Sequence, residues 1–477
     1  MAKKFYLTSA IPYVNSFPHV GHALEFIQTD AIARYHKLLG EDVLTLSGGD
    51  ENALKNVQAA EKAGAPAQEF VDKNNKLFEE LTIKLNARYD VWQKGSDQIH
   101  HFPSSQKLWE QCAQNDDIYQ KSYEGLYCIG CETFYDPEEL NEHGECVEHP
   151  GKPLEKVKEK NWFFRLSNYE KPIKDMIQNG QLDIVPQKRK NEVLAFLDRG
   201  LQDISISRSN ERAKNWGVTV PGDPTQRIYV WFDALNIYQS GIGFGWDETT
   251  YEKWWPADLH VIGKGITRFH AVYWPAFLLS AGLSLPKKIF VHEYFTVNGQ
   301  KMSKTLGNVI DPMMLIEKYG VDPLRYYFLA KFSPFNDGDF SEAEFKKTYN
   351  ADLANGLGNL VARVAKLAST LNFQLSTFDF TDLNAGSYKI ALTEYRFNDA
   401  LSSVWEKIKA ADKYIDENEP WKLTGEALHK ILEHAIHQIL EIATLLQPFL
   451  PQTSEKILSQ FSTQPIRPQP SLFPRLT

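Results

Sequence analysis

Hydrophobic positions near the N-terminus change period twice, which predicts a strand, a helix and a second strand. Residues 5–8 and 42–46 are short strand-like runs, and the first is followed by a loop with two prolines. The segment between the runs carries one apolar helical stripe at spacings of four, four and three: Ile27, Ala31, Tyr35 and Leu38. We predict a βαβ unit over residues 3–47 and a parallel sheet with ligand loops at the carboxyl ends of its strands.

Further strand-like runs appear only after a long interval, at residues 228–232, 259–262 and 288–291. The stretch 116–225 has a different character, with three of the four cysteines, many lysines and several Gly or Pro turns. It is predicted to be a module inserted between two halves of one sheet domain. Beyond residue 350 apolar residues recur with helical spacing, as at Leu353, Leu357, Leu360, Val361, Val364 and Leu367, which predicts a helical bundle before a proline-rich end.

Composition narrows the class of protein. The chain has 477 residues, is 43% hydrophobic and 24% charged, and carries a formal charge of −9. These values exclude collagenous, low-complexity and largely disordered proteins. No apolar run approaches the roughly 18 residues of a membrane span, and the N-terminus lacks the apolar stretch of a secretory signal. With only four cysteines, the chain is expected in the cytoplasm, without a membrane.

The net charge argues mildly against a nucleic-acid partner, but its distribution does not. Residues 152–174 carry seven basic and three acidic side chains, and residues 187–214 carry seven and four. A positive band therefore lies in and after the predicted insertion. Such a band, more than the net charge, is what an RNA would meet.

The cysteines form a metal-ligand pattern. Cys128, Cys131, Cys146 and His149 have the spacing Cys-x2-Cys-x14-Cys-x2-His, which offers four ligands with no open position. We predict one structural Zn²⁺ per chain. A redox Cys-x-x-Cys pair and accidental surface cysteines are the alternatives. Cys112 lies outside the pattern and is predicted to be a buried apolar residue.

Two distant segments suit phosphate groups. His19-Val20-Gly21-His22 lies where the first loop enters the first helix, and a helix N-terminus attracts anions. The loop 299–308 carries Lys301 and Lys304 between glycines, so two ammonium groups can reach one polyphosphate. Surface histidines and incidental loop lysines are the alternative interpretation of each segment alone.

Together, His19-Val20-Gly21-His22 and Lys301-Met302-Ser303-Lys304-Thr305 resemble the paired signature of class I aminoacyl-tRNA synthetases. Other segments resemble the methionyl-tRNA synthetase family through nearly the whole chain: residues 9–15, 230–234, 268–275 and 418–421. The resemblance implies ATP-dependent activation of L-methionine to methionyl-adenylate, followed by transfer to tRNA(Met), both initiator and elongator. It also implies Mg²⁺ with the ATP substrate, a zinc knuckle in the insertion, and a monomer.

The resemblance assigns residues to each role. His19, His22, Lys301 and Lys304 would be catalytic, and the ATP site would add Gly21, Gly263 and Ser303. The methionine pocket would consist of Ile11, Pro12, Tyr13, Asp50, Trp231, Ala234, Leu235, Tyr238, Ile266, His270 and Trp274, with Asp50 pairing with the ammonium group. The CAU anticodon would be read by Asn359, Arg363 and Trp421, through stacking and bidentate contacts.

The expected fold class is α/β: a Rossmann-like parallel-sheet catalytic domain split by a zinc-knuckle insertion and followed by an all-α bundle. The predicted ranges are 1–115 and 226–295 for the catalytic halves, 116–225 for the insertion, 296–349 for the lysine loop and stem-contact region, and 350–477 for the anticodon-binding bundle with its proline-rich tail.

The chain departs from the family in two places. Asp50-Glu51-Asn52-Ala53 stands where Asp-Glu-His-Gly is common, and Gly265 replaces an Asp expected to contact the ribose of ATP. Either the backbone or Glu51 compensates, or the chain is a divergent second copy. Two other functions stay open: a nucleotidylyltransferase with another acceptor, and a synthetase-like RNA-binding protein without catalysis.

Overall fold

The computed structural model describes residues 2–131, 133–135, 137–148, 151–302, 307–369, 386–463 and 465–476. Its strands are β1 (Lys4–Ser9), β2 (Asp42–Gly49), β3 (Val91–Lys94), β4 (Ile118–Cys128), β5 (Thr133–Tyr135), β6 (Glu155–Phe164), β7 (Asp183–Val185), β8 (Ile204–Ser205), β9 (Ser207–Ser209), β10 (Thr219–Val220), β11 (Asp223–Ile228), β12 (Leu259–Gly263), β13 (Lys288–His292), β14 (Phe295–Val297), β15 (Gln300–Lys301) and β16 (Gly338–Phe340). Its α-helices are α1 (Val20–Leu38), α2 (Leu54–Ala63), α3 (Ala67–Lys84), α4 (His101–Gln114), α5 (Glu170–Gln178), α6 (Gln187–Leu197), α7 (Val230–Leu235), α8 (Ile237–Ser240), α9 (Glu248–Trp254), α10 (Trp274–Ser280), α11 (Pro312–Tyr319), α12 (Val321–Lys331), α13 (Glu342–Thr348), α14 (Asn359–Ala368), α15 (Gly386–Thr393), α16 (Phe397–Asn418), α17 (Gly425–Leu446) and α18 (Pro451–Ser462). π-Helical segments precede α10 and α14, at Phe269–Tyr273 and Tyr349–Gly358.

The chain divides into two compact units. The first comprises Met1–Pro18, Glu41–Ile83 and Arg88–His292, and the second comprises His19–Gly40, Lys84–Ala87 and Glu293–Thr477. Helix α1 therefore belongs to the second unit, although β1 and β2 on either side of it in the chain belong to the first. Within the described residues, no helix has the length and apolar character needed to cross a membrane.

The first unit contains the predicted parallel sheet. Its strand order is β3-β2-β1-β12-β13-β7, and every neighbouring pair is parallel. All five residues of β12 are buried, as expected for a strand covered on both faces. The predicted βαβ order and the strands at 259–262 and 288–291 are confirmed, and the fold belongs to the α/β class.

The strand predicted at residues 228–232 is wrong for most of its length. Strand β11 ends at Ile228, and α7 begins at Val230 after the extended Tyr229. All six residues of α7 are buried, so the segment has no polar face to reveal a helical period. A short, uniformly apolar run fits a buried strand and a buried helix equally well.

The range 116–225 contains both antiparallel and parallel structure. Two antiparallel sheets, β5-β4-β6-β8 and β10-β11-β9, lie largely within this range. Strand β7 also lies within it but pairs in parallel with β13 at the edge of the main sheet. The segment predicted as an insertion therefore contributes one strand to the sheet that it interrupts in sequence.

The second unit is mainly helical. Helices α15 to α18 pack in succession, and the buried positions of the predicted stripe include Leu353, Leu357, Leu360 and Val364. A small sheet with the strand order β15-β14-β16 belongs to the same unit, and its strand β15 ends at Lys301. The bundle expected beyond residue 350 is confirmed for the described part of that segment.

Candidate active site

The residues predicted to form the methionine pocket come together in the first unit, at the carboxyl ends of three neighbouring parallel strands. Strands β1, β2 and β12 end at Ser9, Gly49 and Gly263, and the chain after each one carries predicted pocket residues. Tyr13 pairs with Asp50 in an isolated bridge, while the Asp50 N–H donates to the Pro12 carbonyl at 2.9 Å. Ligands bind at this edge of parallel α/β sheets.

The aromatic rings among the predicted pocket residues contact one another. Trp231 of α7 stacks on Phe269 with ring centroids 3.8 Å apart and planes 2° apart. Tyr13 and His270 each meet Trp231 edge-on, both at 6.3 Å. Aromatic surfaces of this kind make favourable contacts with a thioether sulfur.

The remaining predicted pocket residues lie in the same apolar core. Ala234, Leu235 and Tyr238 are almost fully buried, with Ile11 and Ile266 packed against them. Trp274 is also fully buried, and its indole N–H has no acceptor among the described residues.

Burial, and not hydrogen bonding, keeps His270 in its neutral form. Its Nδ1 donates to the Ile266 carbonyl at 3.0 Å, so its Nε2 accepts from the Tyr238 hydroxyl at 2.8 Å. Burial lowers the pKa of His270 to about 4 and lowers the pKa of the neighbouring His260 well below its usual value. His270 and His260 are therefore uncharged at neutral pH, which suits an uncharged substrate side chain.

We expect His270 to make the fold sensitive to acid. Its pKa of about 4 lies below the ordinary value of about 6.5, so the unfolded chain takes up this proton first as the pH falls. The contribution of neutral His270 to the free energy of unfolding is complete above pH ~6.5. It is lost as the pH falls towards ~4, and the loss is at most about 3 kcal/mol. Urea unfolding of the unaltered protein and of His270→Gln between these pH values should show a weaker pH dependence for the variant. Parallel curves would contradict the assignment.

The loop that departs from the family makes hydrogen bonds to other segments of the first unit. Asn52 donates to the Gly95 carbonyl at 2.7 Å and to Asp233 Oδ2 at 2.6 Å, and His101 contacts the other Asp233 oxygen at 2.8 Å. Glu51 is fully buried, with its carboxylate bonded to Asn75 and Ser96. This contradicts the hypothesis that the Glu51 carboxylate takes over ribose binding.

In the second unit, His19 and His22 cap the start of α1. His19 Nδ1 accepts from the Gly21 N–H and His22 Nδ1 accepts from the His19 N–H, each at 3.1 Å. The two rings lie 3.9 Å apart. Because Nδ1 is the acceptor in both neutral rings, each Nε2 carries the proton, as a donor to phosphate requires.

Gly21 leaves space for the His19 ring because glycine has no Cβ. A Cβ at this position would lie 2.9 Å from His19 Cε1, closer than side chains tolerate. It would also lie 3.7 Å from Met302 Cε, so the chain after β15 reaches the start of α1. Met302 of the second phosphate motif therefore lies near Gly21 of the first, about 280 residues away in sequence but in the same unit. Lys301 belongs to β15, whereas Ser303 and Lys304 lie outside the described residues.

Three cysteines of the predicted knuckle come together in the first unit. The sulfur atoms of Cys128, Cys131 and Cys146 lie within 4.8 Å of one another, with Cys131 and Cys146 Sγ 3.4 Å apart. Three convergent sulfurs fit tetrahedral zinc, while His149 lies outside the described residues. Cys112 is fully buried elsewhere, as predicted, and burial raises the pKa of its thiol to about 12.

Two of the predicted anticodon residues meet in the second unit. The Arg363 guanidinium lies 5.4 Å from the ring centroid of Trp421, which is 52% exposed. Arg363 also pairs with Asp412 at 3.2 Å and with Asp416. Asn359 is exposed one turn earlier on α14, so this helix presents both polar side chains near its start.

Sequence reasoning missed several contributors. Phe269, which stacks on Trp231, stands inside the family segment 268–275 and was recognisable there. The acidic partners of Arg363 and the partnership of Asn52 with Asp233 carried no local pattern, because each joins segments far apart in the chain.

A parallel sheet with a cluster of aromatic residues at its carboxyl edge, a histidine-capped helix beside Met302, and a helical bundle define a class I tRNA synthetase. The family described as tRNA synthetases class I (M) matches residues 5–365. The Methionine--tRNA ligase of Thermotoga maritima is 40% identical over 96% of this chain and 75% of its own length. That of Nostoc is 41% identical over 96% and 90%. The chain belongs to the methionyl-tRNA synthetase family.

Solved structures agree with this membership. Mycobacterium tuberculosis methionyl-tRNA synthetase in complex with methionyl-adenylate is 35% identical, covers 100% of this chain and 99% of its own, and has a TM-score of 0.88. The apo form of that protein has a TM-score of 0.85 at 32% identity, with the same coverage.

Proposed function

We propose that the protein is a methionine–tRNA ligase, which activates L-methionine with ATP and transfers it to tRNA(Met). The observation that carries the proposal is the cluster of uncharged aromatic side chains near Asp50, in a chain of this family. The pocket suits a flexible thioether side chain, and Asp50 is placed to pair with the substrate ammonium group.

In the first step, a methionine carboxylate oxygen attacks the α-phosphorus of ATP and pyrophosphate leaves with the electrons of the broken P–O bond. The carboxylate is already ionised, so no general base is needed. His19 and His22 donate through Nε2 to phosphate oxygens, and Lys301 and Lys304 offset the growing negative charge. Gly21, Gly263 and Ser303 line the ATP site, and Mg²⁺ would neutralise charge on the polyphosphate.

In the second step, a hydroxyl of the terminal tRNA ribose attacks the methionyl carbonyl and AMP leaves. Asn359, Arg363 and Trp421 select the tRNA by its anticodon, for both initiator and elongator tRNA(Met). The protein acts as a cytoplasmic monomer, which gel filtration with light scattering tests.

Two assays in sequence test the function. Methionine-dependent exchange of pyrophosphate into ATP reports the first step, and charging of initiator and elongator tRNA reports the second. Exchange without charging would favour a nucleotidylyltransferase with another acceptor. RNA binding without exchange would favour a protein that has lost catalysis.

We expect one zinc ion per chain, held by Cys128, Cys131, Cys146 and His149. Cys131→Ser should lower the zinc content well below one equivalent, because three sulfurs and one nitrogen complete the tetrahedron. Elemental analysis of protein purified without chelators measures this, and Cys112→Ser is the matched control because Cys112 lies outside the cluster. Full zinc content in Cys131→Ser would contradict the assignment.

Arg363→Gln should raise the KM for tRNA(Met) by about 10- to 100-fold, because hydrogen bonds from a charged donor to a base are lost. Pyrophosphate exchange should be unchanged, since it requires no tRNA. Arg396→Gln, which removes an exposed arginine of the same unit, is the control. An equal effect of both substitutions would indicate a general charge effect and not anticodon recognition.

A further inference from the structure

Asn52, which stands where the family commonly has a histidine, connects the two ends of the predicted methionine site. It follows Asp50 by two residues on the loop after β2, and its Nδ2 donates to Asp233 Oδ2 at 2.6 Å. Asp233 lies in α7, two residues after Trp231 and directly before Ala234. One hydrogen bond therefore links the loop that carries the predicted ammonium partner to the helix that carries the stacked indole ring.

Asp233 is a buried carboxylate surrounded by donors. Its exposure is 2%, and no lysine or arginine of the described residues pairs with it. His101 Nε2 and the Ser105 hydroxyl, both on α4, donate to its Oδ1 at 2.8 and 2.9 Å, while Asn52 donates to its Oδ2. A carboxylate away from water is stable only where donors meet its oxygens, so these three groups fix the position of the Asp233 side chain.

Asn52 uses both of its amide N–H groups. One donates to Asp233, and the other donates to the carbonyl of Gly95, directly after β3, at 2.7 Å. The Gly95 N–H donates to the Gly49 carbonyl at 3.1 Å, and a Cβ at Gly95 would lie 3.1 Å from Glu51 N. The loop after β2 is therefore packed closely against the chain after β3. A neutral histidine has a single N–H, so it could make only one of the two bonds.

Each end of the predicted site is held separately. The Asp50 carbonyl accepts from Nδ2 of the fully buried Asn56 at 2.8 Å, while the Trp231 ring stacks on Phe269 at 3.8 Å. Neither contact joins one end to the other. The bond from Asn52 to α7 supplies that connection.

The choice of a charged group at this position has a physical consequence. An apolar pair of similar volume could hold α7 against the loop with equal or greater stability, because a buried carboxylate loses its hydration. Apolar contacts allow several arrangements, whereas a hydrogen-bonded network with satisfied partners specifies one. The network therefore fixes the spacing between Asp50 and Trp231. A fixed spacing matters for a flexible, unbranched ligand such as methionine, because a preorganised site avoids the free energy of ordering both ends on binding.

We propose that the Asn52–Asp233 hydrogen bond sets the spacing between the ammonium end and the side-chain end of the methionine site. The protein then favours ligands that carry both groups at that spacing. The inference rests on the proposed function. Asn52 and Asp233 are positioning residues, since they act on the ligand through Asp50 and Trp231.

The test is the affinity of Asn52→Ala for three ligands, measured by ligand-observed NMR. L-Methionine carries both groups, 4-(methylthio)butanoate lacks the ammonium group, and 2-aminobutanoate lacks the thioether. The Kd of L-methionine should rise about 10- to 100-fold, the effect of losing a hydrogen bond to a charged group. The Kd of each other ligand should rise less than about threefold, because only one end of the site then has to fit. Asn52→His keeps one donor and should restore part of the affinity for L-methionine.

Asn168→Ala is the matched control. It removes an amide that donates to another buried carboxylate of the first unit, Asp117, at 3.2 Å, and it should leave all three affinities unchanged. Equal increases of the three Kd values in Asn52→Ala would show a general disturbance of the site. Unchanged Kd values would show that the bond does not position the ligand. Either result would overturn the inference.

Hydrogen exchange of the ligand-free protein separates this inference from the proposed function. Asn52→Ala should raise the exchange rates of the peptides that cover residues 50–53 and 230–235, whereas Asn168→Ala should not. Unchanged exchange in Asn52→Ala would refute the connection between loop and helix even in a protein that activates methionine. Failure of the unaltered protein to bind methionine would refute the proposed function, and the exchange rates would still judge the connection.

Discussion

Lys304→Ala should lower the rate of adenylate formation by about 100- to 1000-fold, the range seen when one donor to a transition state is removed. The negative charge on the α-phosphate and on the leaving pyrophosphate grows as the P–O bond breaks, and an ammonium group offsets it most at that point. In the proposed function, methionine contacts the aromatic residues and Asp50 and not Lys304. Its binding should therefore change little. The expected signature is a large loss in kcat with a nearly constant KM for methionine.

The measurement is pre-steady-state formation of methionyl-adenylate at several methionine concentrations. Lys347→Ala, which removes an exposed lysine of α13, is the matched control. Lys304→Arg keeps the charge but changes its shape, so partial activity in that variant would favour an electrostatic role. Equal losses in binding and rate after Lys304→Ala would refute the assignment.

Arg325→Met should lower the free energy of unfolding by about 3–5 kcal/mol, the cost of removing one member of a buried ion pair. Arg325 is fully buried and pairs with Asp30 at 2.6 Å. Its guanidinium also donates to the carbonyls of Leu85, Pro448 and Phe449 at 3.2, 3.0 and 2.8 Å. One side chain thus connects α1, the residue directly after α3 and the segment before α18 within the second unit.

Urea unfolding of the full chain measures this loss. Arg396→Met removes an exposed arginine that pairs with Glu394 and Asp399, and it should cost less than about 1 kcal/mol. Arg325→Met combined with Asp30→Asn should recover part of the loss, because it also removes a largely buried carboxylate whose remaining ion pair is with Arg34 at 2.7 Å. Similar effects of the two arginine substitutions would contradict a special role for Arg325.

Local patterns predicted those features that depend on local physics. Hydrophobic periods located β1, α1, β2, β12 and β13, because the side-chain direction repeats with the backbone geometry of each element. The cysteine spacing located the sulfur cluster, because two tight turns are enough to aim sulfurs at one ion. The family segments pointed to the aromatic pocket, although the roles of its residues stay predictions.

Other features depended on long-range packing. The change from strand to helix between Ile228 and Val230 was hidden, because burial on every side removes the polar face from which the period is recognised. The neutral state of His270 depends on its burial, and its tautomer depends on Tyr238 and Ile266. The proton positions on His19 and His22 depend on the backbone at the start of α1. Sequence spacing carries no information on such partners.

The sequence alone therefore determined the first βαβ unit, strands β12 and β13, the cysteine cluster and the family of this protein, since periodicity and motif spacing depend on neighbouring residues. Only the tertiary structure placed Met302 near Gly21, gave the buried Glu51 carboxylate its hydrogen bond from Asn75, and paired Arg208 with Arg227 across two strands. These contacts join segments from about 20 to 280 residues apart in the chain. Strand register and side-chain packing decide them, because a buried charge or polar group is stable only where the whole fold supplies its partners.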